Sequence, residues 1–80
     1  MESKLDTEER NKLDIESFGI PSQRRYPLND EEHVRAAIRM FNRVEREHER
    51  ELAFNILNAM KKYKIPTSSI GKTNRLRSYL

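Results

Sequence analysis

Eighty residues, 35% hydrophobic and 36% charged, allow one small domain with a modest core beneath a heavily charged surface. The absence of cysteine excludes disulfides and thiolate metal sites, and no run approaches the roughly 20 apolar residues that span a bilayer, so no membrane partner is expected. The net charge of +3 is unevenly spread: residues 1–17 hold six acids against three bases, whereas residues 66–80 hold Lys72, Arg75 and Arg77 and no acid.

Residues 1–17 offer only Leu5, Leu13 and Ile15 as apolar groups after the initiator. Near-neighbour charge pairs among Glu8, Glu9, Arg10 and Lys12 contribute about 0.2–0.5 kcal/mol each, too little to hold a short helix in water. A disordered acidic segment is expected here. Its opening lacks the apolar run of a secretory signal, which places the expected setting inside a cell or on a particle.

The ordered part begins at Phe18-Gly19-Ile20-Pro21. Glycine there admits unusual backbone angles and proline stiffens the exit. With Tyr26 and Leu28 these residues predict an extended arm over 18–28, laid across the apolar faces of the helices that follow. The same arm, through Phe18, Ile20, Arg24, Arg25 and Tyr26, is the expected partner-binding element. Pro27 biases Tyr26 toward an extended conformation, and Tyr26, Pro27, Leu28, Asp30 and His33 form the structural junction into the first helix. Asn29 or Asp30 caps it, Asp30 being preferred because its carboxylate can accept from the His33 amide.

Helical periodicity is plain from Asp30 onward. Val34, Ala37, Ile38 and Phe41 share one face, and Glu31 and Glu32 meet the positive end of the helix dipole. A second stripe follows at Leu52, Ile56, Ala59, Met60 and Tyr63. The two stripes are almost in phase, so periodicity permits one long helix, but a single helix of that length cannot bury its own stripe without another chain. Folding back within 42–47 buries both stripes in one monomer. The expected fold is therefore all-α: a small helical hairpin with helices at about 30–42 and 47–64, covered by the arm, in a domain spanning 18–65. Pro66 ends the second helix, and 66–80 reads as a flexible basic tail. The charged run from Glu45 to Glu51 reads as a solvated shoulder of the hairpin.

No catalytic constellation is present. His33 and His48 lack acid or thiol partners in ligand spacing, Ser17 and Ser22 lack a triad or elbow context, and two distant glycines make no phosphate loop. Neither enzyme chemistry nor a cofactor is expected. Two binding classes remain: a protein-interaction module, and a small DNA-binding protein in which Asn55, Asn58, Lys61 and Lys62 enter a groove while Arg24, Arg25 and the basic tail, with Lys72, Arg75 and Arg77, hold phosphates. Glu47, Glu49 and Glu51 at the start of that helix would repel phosphate, which disfavours the second class.

The run Arg24-Arg25-Tyr26-Pro27-Leu28, followed by Asp30 and His33, resembles a small uncharacterised domain of tailed-phage and prophage proteins, marked by Arg-Lys-Tyr-Pro-aliphatic and then Asp and His three apart. The likeness extends over 18–65, through Phe18-Gly19-Ile20-Pro21, Ala37-Ile38, Phe41-Asn42 and Ala59-Met60-Lys61-Lys62-Tyr63. It implies a phage setting, in the virion or the host cytoplasm, and a larger phage or host protein, such as a head-related one, as partner. It implies no activity. A homo-oligomer and a phage inhibitor of a host defence protein are the further expectations.

Overall fold

The computed structural model describes residues 17–80; the N-terminal segment expected to be disordered otherwise lies outside the described residues. Two strands, β1 (Phe18–Ile20) and β2 (Arg25–Pro27), precede two helices, α1 (Glu31–Met40) and α2 (Arg46–Tyr63), and short 3-10 turns at Thr67–Ser69 and Arg75–Tyr79 close the chain. The hairpin of helices is thus as expected. The fold is not purely all-α, because the arm folds into a small antiparallel sheet.

That sheet pairs Phe18 with Pro27 and Ile20 with Arg25, and the Leu28 amide extends the pairing to the Ser17 carbonyl at 2.7 Å. A 3-10 turn at Pro21–Gln23 joins the strands, closed by Arg24 in the left-handed region (φ 50°, ψ 44°), a hairpin geometry that needs one such residue. β1 lies against α2 and β2 against α1, so the sheet bridges both helices. Phe18 and Ile20 are fully buried, Leu28 is buried, and Tyr26 packs half-buried against the core.

Gly19 is required for a different reason from the one its sequence suggests. Its φ is not positive. A β-carbon there would instead collide with Leu52 Cδ1 and lie 3.2 Å from Tyr26 Cβ, so the missing side chain lets β1 approach α2. The expectation of extended backbone at Tyr26 also needs correction, since its φ is +60°. A bulky residue before proline in that region carries strain of about 1–3 kcal/mol. Core packing of the ring and the Arg25 guanidinium, 5.2 Å above it, hold the conformation in place.

Helix α1 starts where the junction predicts, with Asp30 Oδ1 accepting from the His33 amide at 2.8 Å. Its stripe of Val34, Ala37, Ile38 and Phe41 is buried throughout. The chain then leaves the helix through a 3-10 turn at Phe41–Arg43, and Val44 and Glu45 are extended. Helix α2 buries Leu52, Ala53, Ile56, Ala59 and Met60 and ends at Lys64, whose left-handed backbone (φ 58°) turns Ile65 and Pro66 away.

The last fifteen residues correct the expectation of a flexible tail. Ile70 and Leu76 enter the core, and polar side chains tie the segment down. Asn74 Nδ2 donates to the Ile38 carbonyl at 2.8 Å while Asn74 Oδ1 accepts from the Leu76 amide at 2.9 Å. Asn42 receives the Arg75 amide at 2.8 Å and donates to the Thr73 carbonyl at 3.3 Å. The Ile38 carbonyl, in the last turn of α1, accepts from the Phe41 amide, and Asn74 is a second donor to the same oxygen, so the segment braces the end of α1 as it covers it.

Candidate functional site

The residues singled out from the sequence separate into two groups, and the structure adds a third. Phe18 and Ile20, expected to meet a partner, are interior and cannot do so without unfolding the sheet. Arg24, Arg25 and Tyr26 stay at the surface, where with Pro27, His33, Ala36, Ala37 and Met40 they line a groove of about 380 Å³ between β2 and α1. Arg25 is already engaged there, donating to Gln23 Oε1 at 2.9 Å and to both Glu45 oxygens at 3.1 and 3.2 Å. The Glu45 carboxyl lies below the ordinary carboxylate range: a hydrogen bond from its own backbone amide and those from Arg25 outweigh opposing desolvation. His33 Nδ1 sits 2.7 Å from Asp30 Oδ1, so the imidazole serves the helix cap.

The residues of the DNA reading do not form one free face. Asn55 donates to the Gly19 carbonyl at 3.0 Å, tying α2 to the buried strand β1. Arg75 grips Glu49 at 3.2 Å, and Arg77 donates to the Ile70 carbonyl at 2.8 Å. Lys62 lies 5.4 Å above the Tyr63 ring. Asn58, Lys61 and Lys72 remain exposed. A polar groove of about 470 Å³ runs past Asn29, Asn55, Asn58 and Lys62, and there Asn29 Oδ1 is the one buried side-chain oxygen or nitrogen without a hydrogen-bond partner among the described residues.

The third group was not read from the sequence as a site, although Met60 was expected in the core stripe and Lys61 as a cation. Phe54, Leu57 and Met60 on α2 join Ile65, Pro66, Tyr79 and Leu80 in an apolar groove of about 530 Å³, with Lys61 and Lys64 on it and no acidic residue in its lining. Phe54 is 66% exposed and Leu80 60%. At 100° per residue Phe54 points about 200° away from Leu52, so α2 carries a second apolar surface outside its core stripe. That misplaced aromatic was the available signal.

One wall of this groove is the C-terminal segment, and Glu49 secures it. Glu49 is only 7% exposed, the buried exception within a 45–51 shoulder that is otherwise solvated as expected save for half-buried His48. It accepts from Arg75 Nη2 and Nε at 3.2 and 3.3 Å and from the Tyr79 hydroxyl at 3.3 Å. The Arg75 hydrogen bonds outweigh desolvation and, with the charges of Arg75 and Arg46 and the Tyr79 hydroxyl, hold the carboxyl below its ordinary range. Tyr79 also meets Phe41 edge to face at 6.1 Å, fixing its ring.

Among the described residues, no helix is long and apolar enough to cross a membrane. A family model described as a family of unknown function (DUF6582) matches residues 3–69. No curated protein and no solved structure matches the chain.

Proposed function

The chain belongs to the DUF6582 family, and we propose that it acts as a non-enzymatic, phage-derived protein-interaction module, associated with a head-related virion protein and docking through the apolar groove of α2. Phe54 carries the docking reading. This protein buries its two other phenylalanines completely, yet leaves Phe54 mostly exposed beside Leu57, Tyr79 and Leu80. Apolar area withdrawn from water is worth about 25 cal/mol per Å², and a partner seated on this surface would gain that stabilisation. The α2 groove is lined mainly by apolar groups with Lys61 and Lys64 among them, a chemistry suited to contact. Support for the phage setting, in the virion or the host cytoplasm, is the sequence resemblance over 18–65.

The reading is tested by placing a photo-crosslinking amino acid at Phe54 of the full chain in infected cells. A covalent adduct with a head-related protein is expected from position 54 and not from Ser22, an exposed residue of the β-turn. Adducts of equal yield from both positions, or none from either, contradict it.

A further inference from the structure

We propose that the α2 groove takes an acidic amphipathic helix from the partner, an inference that rests on the docking reading above. Charge selects the chemistry. Lys61 and Lys64 are both exposed, and no Asp or Glu lines the groove to neutralise them. An apolar segment flanked by carboxylates therefore matches the surface on both counts, whereas a symmetric second copy would bring like charges together.

Shape selects the form. The groove lies between α2 and the C-terminal segment and contains no strand residue, so it offers no edge for an added strand. Among its lining residues, Phe54, Leu57 and Lys61 on α2 and Lys64 at the helix cap are spaced by three or four and extend over roughly 15 Å at about 1.5 Å per residue. Such a surface accepts about three turns of a helix whose apolar residues repeat at the same spacing. Its concavity, walled by Pro66 and Tyr79, suits side chains projecting from a polypeptide better than the plane of a membrane.

The test is selection of a displayed library of 16-residue helix-forming peptides on the full-length protein. Selected peptides should pair an apolar stripe with Asp or Glu, and their affinity should fall at least tenfold on Phe54→Ser. The double reversal Lys61→Glu and Lys64→Glu should produce a similar loss, restored when the peptide acids become lysine. Because these three side chains are exposed, Phe54→Ser should leave the thermal melt unchanged, and the reversal, which places acids at the negative end of the α2 dipole, should lower it only slightly; rescue by the lysine peptide then separates binding from folding. Phe54-dependent peptides without acid enrichment, or indifferent to the reversal, overturn the acidic-helix inference and leave the docking surface standing. An absence of any Phe54-dependent peptide overturns both. A Phe54-dependent dimer, or binding to phosphatidylglycerol vesicles in place of peptides, likewise overturns the inference.

Discussion

The two segments that flank the helices, 17–28 before them and 66–80 after, perform similar structural work by different means. The first is held by apolar burial and a short backbone ladder: Phe18, Ile20 and Leu28 are interior, and β1 pairs with β2. The second buries fewer large apolar groups, chiefly Ile70 and Leu76, and relies on asparagine side chains that satisfy backbone groups and on the Glu49–Arg75 pair. Hydropathy detects the first kind of attachment and passes over the second. A segment that reads as a tail can therefore be a wall of the fold.

Core truncations test whether the two segments are equally integral. Phe18→Ala is expected to destabilise by about 3–5 kcal/mol and Leu76→Ala by about 2–5 kcal/mol, because each removes a fully buried side chain. Chemical denaturation checks both. A midpoint unmoved by Leu76→Ala would reduce the second segment to a tail after all.

Gly19→Ala probes the close approach of the first segment to α2. Leu52 is fully buried and has little room to yield, so overpacking of about 1–3 kcal/mol is expected. A reduced Leu52 side chain should suppress that penalty: Gly19→Ala in a Leu52→Ala background should show a clearly smaller effect. Equal effects in both backgrounds would mean that the collision does not govern this glycine.

The smallest effect expected is the acid response of the second segment. Since the folded Glu49 carboxyl titrates below its ordinary range, its contribution is present above the unfolded value of about 4.3 and lost as pH falls below it. The stability difference between the natural chain and Glu49→Gln should thus be full near pH 6 and shrink toward pH 3. A difference independent of pH would contradict the assignment of the pair.

Legibility in the sequence followed the type of interaction. The stripes of α1 and α2 and the Asp30 cap were legible because periodicity and local capping depend on neighbours in the chain. Burial of the arm was legible from Phe18, Ile20 and Leu28, but its pairing was not, since strands of three residues are too short to display alternation. The left-handed backbone of Tyr26 runs against the local preference and is held by tertiary packing. Glu49 falls on the core side of α2, about 60° from Leu52, yet its partner Arg75 is 26 residues away. Of the candidate site, Lys61 was legible only as a cation; Phe54 became informative once the core face of α2 was known.

Everything proposed for the groove requires the C-terminal segment to stand as its wall. Backbone 15N relaxation on the full chain measures this most directly, residue by residue. Order parameters near 0.85 for Leu76 and Tyr79, matching those of Ile56 and Ala59 in α2, are the predicted result. Values below about 0.6 across 70–79 beside a rigid α2 would contradict it, leaving Phe54 on an open helix face without a groove.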